Sequence, residues 1–357
     1  MGNLAALPKA HLHLHLTGGM RPQTLVDLAA EQRRTLPPGL LDPGSVDLDA
    51  TGLRGWLRFQ RLYDAARALL VGPTEVRRVV REIVEDQAAA GVGWLELQVD
   101  PSTYAPRLGG LQATVELVLD ALAEGTAATG VGTGLVIAGN RTRNPAETET
   151  LARVAKRFAG RGVVGFGLSN DETRGDTRDF EKAFRMTRDA GLLAVPHAGE
   201  LRGAGNVRLA VERLGASRVG HGVRAVEDPD LLELLATLEV ACEVNPLSNV
   251  CLHVHKTVAE NPWRELRAAG VPVAIGADDP LLFRAGLLDN YAALGATDAE
   301  LADLARCSVE ACAAPTALKA SLLAGITTWL VDLGDTRGAE VADGGAGITL
   351  RGRMTPP

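Results

Sequence analysis

Short apolar runs alternate with longer amphipathic segments along most of the chain. Runs rich in Val, Leu, Ile and Ala predict eight buried β-strands, at Ala10–Leu16, Val92–Val99, Val131–Ala138, Val163–Leu168, Leu192–Pro196, Arg218–His221, Val240–Val244 and Val271–Ile275. Segments of helical periodicity lie between them, among them Thr74–Ala90, Leu111–Ala128, Ala146–Ala159, Phe180–Ala190 and Pro229–Thr237. Several of these segments are followed by glycine, which closes a helix because it tolerates left-handed backbone.

Strands that alternate with helices predict a parallel sheet joined by crossover helices. Eight such strands favour a closed (β/α)₈ barrel, the TIM-barrel architecture, over an open doubly wound sheet. An open sheet of that kind usually has fewer strands and a glycine-rich first turn, whereas Thr17-Gly18-Gly19 follows the first run here without a G-x-G-x-x-G motif. We therefore predict an α/β protein with one barrel domain over residues 1–333.

Two segments fall outside this alternation. Residues 31–70, between the first two strands, form a long Pro/Gly-punctuated and then helical insertion that is expected over the mouth of the barrel. This insertion is either a lid or an ordinary packed helix whose core is Trp56, Phe59 and Leu62. Residues 334–357 are glycine-rich and end in Thr-Pro-Pro, so we expect a loosely ordered C-terminal tail.

The composition narrows the class of protein. Apolar residues make up 46% and charged residues 23% of the 357 positions, which is typical of a globular protein. The 37 Lys and Arg residues against 44 Asp and Glu give a net charge of −7, which argues against nucleic acid and membrane surfaces as partners. No signal-like start is visible, and the longest apolar run, Ser321–Val331, is too short to span a bilayer. We expect a soluble, cytoplasmic protein.

A triplet of alternating histidines lies in the first strand. His13 and His15 are two apart and therefore point to the same side of the strand, near its carboxyl end. Two imidazoles at that position pack poorly but bind metals well. His11 has the same parity and lies deeper, so we expect it in the core or behind the ligands. His253 and His255 are a rival pair, but they lie in a helical or loop region and are expected to be surface or loop histidines.

Further polar residues follow other strands. His197 and His221 end two later runs, and Asp278 with Asp279 follows the last one. Carboxyl ends of parallel strands meet at one mouth of a barrel, where active sites of such barrels lie. The convergence of four strand ends therefore predicts a site rather than four isolated polar groups.

Four motifs, PKAHLHLHLTG, HAGE, VGHG and GADDP, resemble in their order and spacing the zinc-dependent adenosine deaminase family of amidohydrolase barrels. The resemblance extends from Pro8 to about Ala320. It implies hydrolytic deamination of a 6-aminopurine nucleoside to its 6-oxo form with release of ammonia, a hydrolase acting on C–N bonds of cyclic amidines. The implied zinc ligands are His13, His15, His197 and Asp278.

The same resemblance assigns the remaining roles. Glu200 is implied to protonate the purine ring nitrogen N1, His221 to orient or deprotonate the attacking water, and Asp279 to meet N7, while His15 also faces the substrate. Three imidazoles and one carboxylate suit Zn²⁺, which lowers the pKa of a bound water towards ~7. Many related barrels bridge two metals with a modified lysine, and no lysine lies near the end of the fourth run. We therefore expect one zinc ion per chain.

Two residues depart from the family pattern. The family commonly has an aspartate that bonds the ribose 5′-hydroxyl where this chain has Thr17. Loss of that charge favours a 5′-modified adenosine such as aminodeoxyfutalosine, with its benzoate-bearing 5′ extension, ahead of adenosine and then adenine. Asn170 replaces the usual glycine whose N–H faces purine N3; it either keeps that left-handed backbone or caps the next segment. Arg143, Arg174 and Arg202 are candidates to pair with an acidic substrate tail, although most loop arginines are only solvated.

Other functions stay open at this point. A metal-dependent amidohydrolase with another leaving group is compatible with the same barrel, because a fold does not fix a reaction. A non-catalytic nucleoside-binding barrel should have lost a ligand or the acid, and none of the proposed set is missing. The expected partner is a small purine nucleoside, with a homo-oligomer as an open alternative.

Overall fold

The computed structural model describes residues 2–42 and 48–343, with side chains described as far as Leu333. Within these residues one sheet has eight strands, each paired in parallel with the next along the chain. The strands are β1 (Lys9–His15), β2 (Val92–Val99), β3 (Gly132–Asn140), β4 (Val163–Ser169), β5 (Leu193–Ala198), β6 (Arg218–His221), β7 (Ala241–Val244) and β8 (Val273–Ile275). Each falls on one of the predicted apolar runs.

The last strand returns to the first. Leu14 forms a parallel bridge with Asp278. The N–H of His15 donates to the carbonyl of Asp278 at 3.2 Å, and the N–H of Asp278 donates to the carbonyl of His13 at 3.0 Å. The sheet therefore closes, and the predicted (β/α)₈ barrel is confirmed.

Helices surround the barrel. In the described part of the chain they are α1 (Pro22–Glu31), α2 (Pro38–Leu41), α3 (Leu53–Arg67), α4 (Pro73–Ala89), α5 (Leu111–Thr129), α6 (Pro145–Arg157), α7 (Glu181–Arg188), α8 (Ala204–Glu212), α9 (Pro229–Thr237), α10 (Pro246–Cys251), α11 (Trp263–Ala268), α12 (Pro280–Phe283), α13 (Leu287–Ala293), α14 (Asp298–Ala311) and α15 (Thr316–Asp343). Short 3₁₀ helices lie at Pro101–Thr103, Thr177–Phe180, Val223–Glu227 and Val258–Glu260. Several helices begin with proline, whose missing N–H costs nothing there. Across the described residues, no helix combines the length and the apolar character needed to cross a membrane.

A buried layer of charge crosses the inside of the barrel. Arg218 on β6 forms ion pairs with Glu96 on β2 and, at 2.7 Å, with Glu243 on β7. All three side chains are almost fully buried, and a buried charge is tolerated only when it is paired and hydrogen-bonded. The second oxygen of Glu243 accepts a hydrogen bond from His13 Nδ1 at 3.0 Å, so this layer supports the mouth above it.

The insertion after β1 lies at the mouth. Phe59 of α3 stacks on Phe283, with ring centroids 5.8 Å apart. Gln60, one residue further along α3, accepts a hydrogen bond from the side-chain amide of Asn170 at 3.0 Å. Helix α3 is therefore fastened to residues that follow β4 and β8. At the other end of the chain, α15 continues past residue 333 to Asp343, and residues 344–357 of the expected tail lie outside the described residues.

Candidate metal centre and active site

A cavity of about 760 Å³, counting the space open to solvent, lies at the carboxyl end of the strands. One end, which we call the histidine end, is lined by His15, His197, Glu200, His221, Asp278 and Asp279. A second group of lining residues, which we call the α3 end, comprises Trp56, Phe59, Gln60, Tyr63 and Arg67 of α3 and Asp100, Thr103 and Tyr104 after β2. The predicted strand ends and the predicted insertion therefore form one cavity.

The histidines converge on one carboxylate. Asp278 Oδ1 lies 3.1 Å from His15 Nε2 and 3.6 Å from His13 Nε2. His15 Nε2 lies 3.3 Å from His197 Nε2. Potential ligand atoms of His13, His197, His221 and Asp278 all lie within 4.8 Å of one another. The four predicted ligands therefore lie close together around Asp278, and His221 belongs to the same cluster.

The outer ring nitrogens of these histidines are held by polar neighbours. His13 Nδ1 pairs with Glu243 at 3.0 Å, and His15 Nδ1 lies 3.2 Å from the Gln98 amide nitrogen. His13 Nε2 is buried with no hydrogen-bond partner among the described residues. Anchoring one ring nitrogen so that the other points into a shared centre is how proteins orient metal-binding histidines. An unsatisfied buried imidazole nitrogen beside a carboxylate fits a cation as its missing partner.

Backbone geometry brings these side chains together. Asp278 and His221 adopt positive φ values of 60° and 63°, which non-glycine residues rarely adopt. Such conformations persist only where surrounding contacts stabilise them, and they are common at active sites. Gly220 has a different reason to be small: a Cβ there would lie 2.9 Å from His13 Cε1 and 3.2 Å from His197. The VGHG motif therefore lets two imidazoles pack against strand β6.

The electrostatics of the cluster favour positive charge. Burial lowers the pKa of His13, but the nearby carboxylates of Asp278 and Glu243 outweigh it and raise that pKa to about 10. Burial would raise the pKa of Asp278, yet the neighbouring His13 and His15 hold it well below its usual range. Burial and the neighbouring histidines lower the pKa of His197 well below its usual range. Asp278 is therefore ionised and His197 neutral, and a bound divalent cation would take the place of the proton on His13.

Glu200 follows β5 in a tight loop. Its carboxyl lies 3.6 Å from His221 Nε2. Burial and the charges of Asp278 and Glu172 raise its pKa well above the usual range. The loop itself is fixed by Glu172, whose carboxylate accepts hydrogen bonds from four successive N–H groups, those of residues 199–202, at 2.6 to 3.0 Å.

Asp279 lines the cavity beside the cluster. Burial and the charge of Asp278 raise its pKa well above the usual range. Its Oδ1 is buried with no hydrogen-bond partner among the described residues. The TG motif makes room for it, because a Cβ on Gly18 would lie 1.8 Å from that oxygen. A protonated carboxyl in this position can donate a hydrogen bond to a ligand.

Thr17 and Asn170, the two residues that depart from the family pattern, each make a defined hydrogen bond. Thr17 is buried, and its hydroxyl lies 2.6 Å from the hydroxyl of Tyr104, which lines the cavity. Asn170 has φ 78°, so the left-handed backbone expected at this position is present. Its side chain also caps the next segment, since its Oδ1 accepts from the N–H of Asp171 at 2.8 Å. Both alternatives for Asn170 therefore hold together.

The other histidines lie elsewhere. His11 is buried; its Nδ1 bonds Gln87 at 2.8 Å and its Nε2 accepts from the N–H of Ala277 at 3.1 Å, so it is a core residue. Among the described residues, no cluster of candidate metal ligands includes His253 or His255. This agrees with the weak metal-binding interpretation of the second pair.

The predicted arginine candidates for an acidic tail do not line the cavity. Arg143 contacts Ser102 Oγ at 3.2 Å, and Arg202 donates to the carbonyl of Thr173 at 3.1 Å. Arg174 likewise lies outside the cavity wall. Among the described residues, Arg67 is the one arginine or lysine that lines the cavity.

Sequence reasoning missed the residues that support the site. Glu243 and Glu172 contact site residues only through tertiary packing, and Arg218 supports Glu243 by pairing with it. The sequence of β2 and of β7 does contain one indication: each has a glutamate within an otherwise apolar parallel strand. Burying such a charge costs free energy unless it is paired, so a buried partner could have been expected. The aromatic wall supplied by α3 had no comparable signal beyond its amphipathic pattern.

The chain matches the family model described as adenosine deaminase over residues 8–329. It is 53% identical over 337 residues to a Streptomyces coelicolor protein named "Putative adenosine/adenine deaminase", which covers 92% of this chain and 98% of the relative. A solved adenine deaminase from Arthrobacter aurescens superposes with a TM-score of 0.81 at 31% identity, covering 90% of this chain and 99% of that one. An amidohydrolase from Burkholderia ambifaria with bound Zn gives a TM-score of 0.82 at 25% identity, covering 94% of each chain.

Fold and site together define a metal-dependent hydrolase barrel of the amidohydrolase type. The chain belongs to the adenosine deaminase family. The expectation of a hydrolase that deaminates purines is thereby confirmed at the level of the family.

Proposed function

We propose that this protein deaminates a 6-aminopurine nucleoside that carries a 5′ extension, aminodeoxyfutalosine being one such compound. The observation that carries this proposal is that residue 17 bears no carboxylate: the buried Thr17 hydroxyl lies 2.6 Å from the hydroxyl of Tyr104, which lines the cavity. A carboxylate at residue 17 would bind a ribose 5′-hydroxyl and repel an acidic 5′ group, whereas the threonine hydroxyl does neither. The same cavity is also lined by Trp56, Phe59 and Tyr63 of α3, an apolar surface that a 5′ extension can contact.

His13, His15, His197 and Asp278 would hold one zinc ion. The support is the buried, unsatisfied His13 Nε2 and the 3.1 Å approach of His15 to Asp278. A bound zinc ion supplies Lewis acidity and lowers the pKa of water towards neutrality. His221 would lie beside the zinc ligands. Its Nδ1 is 3.2 Å from the Asn249 amide nitrogen, and its Nε2 is directed towards Glu200.

The reaction adds water at purine C6: a C6–O bond forms, the C6–N bond breaks and ammonia leaves. Negative charge develops on the adjacent N1 during the attack, so a proton donor is needed there. Glu200 has the raised pKa of such a donor and lies on the cavity wall. His221, 3.6 Å from it, would orient or deprotonate the attacking water.

Two further groups would orient the purine. Asp279 has a raised pKa, and its buried, unsatisfied Oδ1 suits donation to the acceptor nitrogen N7. Asn170 lines the cavity with φ 78°, the left-handed backbone that would turn its N–H towards N3. Because these contacts involve only the purine base, adenine and any adenine nucleoside would make them equally.

Free adenine is the second candidate. The adenine deaminase from Arthrobacter aurescens, with 31% identity and a TM-score of 0.81, is the observation that favours it. The base contacts above do not separate the two candidates, so the separation depends on the α3 end.

A substrate panel tests the proposal. The zinc-loaded enzyme and a chelator-treated control are assayed for ammonia release and for the ultraviolet shift from the 6-amino to the 6-oxo purine. Substrates are aminodeoxyfutalosine, methylthioadenosine, 5′-deoxyadenosine, adenosine and adenine. We expect the highest kcat/KM for the extended nucleoside and loss of activity with chelator. The highest kcat/KM for adenine would replace this proposal with the second candidate, and turnover of none would refute both.

A further inference from the structure

Arg67 is the basic side chain of the α3 end. It lines the cavity together with Tyr63, Asp100 and Tyr104. Burial raises the pKa of each of these three neighbours, and the positive charge of Arg67 partly opposes that effect. Asp279 also raises the pKa of Tyr63, so the α3 end adjoins the histidine end. A positive charge therefore lies on the cavity wall beside the aromatic side chains of α3.

Arg67 is held in place but keeps hydrogen-bonding capacity. Its side chain is 19% exposed and pairs with Asp64, one turn earlier on α3, whose side chain is 48% exposed. The guanidinium carbon lies 5.7 Å from the centre of the Tyr63 ring. A guanidinium has five N–H donors. Asp64 is the single hydrogen-bond acceptor that the described residues give it. Donors thus remain for a ligand in the cavity.

Neither Arg107 nor Asp100, two further charged residues near Arg67, alters its capacity to bind an anion in the cavity. Arg107 donates to the backbone carbonyls of Ala68 and Thr103, at 3.2 and 3.3 Å, and does not line the cavity. The Asp100 carboxylate accepts from the N–H and the hydroxyl of Ser102, at 2.9 and 2.5 Å. Burial raises the pKa of Asp100, which weakens its ability to neutralise a cation.

Arg67 shares the cavity wall with aromatic side chains. Trp56, Phe59 and Tyr63 lie one to three turns before it on α3 and line the cavity together with Tyr104. Such a wall suits an apolar or aromatic spacer, and a planar guanidinium matches a carboxylate in a bidentate pair. Phosphate sites usually combine several donors, such as backbone N–H groups at a helix start, with the cation.

We propose that Arg67 binds a carboxylate at the far end of an apolar 5′ extension of the substrate, and so determines specificity for acidic nucleosides. This rests on the proposed function, because it presumes that the purine lies at the histidine end. The proposal adds a positively charged side chain to the argument from Thr17, which is uncharged and cannot attract a carboxylate.

A matched pair of probes tests it: 5′-deoxy-5′-(4-carboxyphenylthio)adenosine and its carboxamide, which differ in charge and hardly in shape. We expect the native enzyme to favour the carboxylate in kcat/KM by about 10- to 100-fold, the range for a charge-assisted hydrogen-bonded pair. Arg67→Met should bring that ratio close to one, mainly through KM. Arg107→Met is the control and should keep the ratio, and zinc content and melting temperature are measured for all three proteins.

The possible failures are distinguishable. If the native enzyme favours adenine over both probes, the proposed function fails. If it favours the carboxylate and Arg67→Met keeps that preference, the assignment of Arg67 alone is wrong. A preference for adenosine 5′-monophosphate over the carboxylate probe that Arg67→Met abolishes would overturn the carboxylate in favour of a phosphate.

Discussion

The histidine end and the α3 end of the cavity are built in different ways. Side chains from the ends of β1, β5, β6 and β8 form the histidine end, and buried ion pairs inside the barrel support it. One inserted helix, fastened by Gln60 and by the stacking of Phe59 on Phe283, forms much of the α3 end. If the proposed function holds, the barrel carries the chemistry and the insertion contacts whatever accompanies the purine.

The same difference predicts how substitutions at the two ends should act. A change at the α3 end leaves the ion pairs of Arg218 and the ligand cluster untouched. A change at the histidine end alters a buried set of charges that depend on one another. We therefore expect activity losses to be large at the histidine end and changes of substrate ranking to dominate at the α3 end.

The largest of the three effects is expected for Glu200→Gln. Glutamine keeps the shape but cannot supply the proton, so kcat should fall by about 10²- to 10⁴-fold while zinc content and nucleoside binding are kept. Because burial raises the pKa of Glu200, the native rate should fall on the alkaline side, as pH rises through that pKa. Steady-state rates across pH with parallel zinc analysis check this. Near-normal turnover by the variant would remove Glu200 from the acid role.

A smaller loss is expected for Glu172→Gln, which tests how the acid is positioned. The amide retains one acceptor oxygen, but it loses the charge that holds four successive N–H groups of the Glu200 loop. Misplacement of a catalytic group should lower kcat by about 10- to 100-fold with KM less affected.

The control for Glu172 is Glu181→Gln, a partly exposed glutamate at the start of α7. Kinetics, zinc content and melting temperature are compared for both variants. Equal losses of kcat and of zinc in Glu172→Gln would show a collapsed site instead of a displaced acid.

The residues of the histidine end could be predicted from the sequence better than those of the α3 end. Strand β2 is buried along nearly its whole length, so Val92–Val99 is mostly apolar and is recognisable as a strand despite Glu96, and the histidine pair follows from the two-residue period of a strand. Glu172 and Arg218 could not be predicted, because their partners lie 27 to 34 and 25 to 122 residues away along the chain. Arg67 could not be predicted either. Its amphipathic helix has a recognisable polar face, but the direction of that face depends on how the insertion packs.

The smallest effect on rate, and the sharpest on specificity, is expected for Thr17→Asp. A carboxylate beside Tyr104 should repel an acidic 5′ extension and bond a ribose hydroxyl, so adenosine should gain about tenfold in kcat/KM relative to the extended nucleoside. Thr17→Asn is the matched control, since it has the size of aspartate without its charge. Competition between the two substrates in one reaction measures the ratio directly. If asparagine shifts the ranking as far as aspartate does, then the volume of residue 17, and not its charge, distinguishes the substrates. Selection for an acidic 5′ extension would then depend on the charge of Arg67 alone.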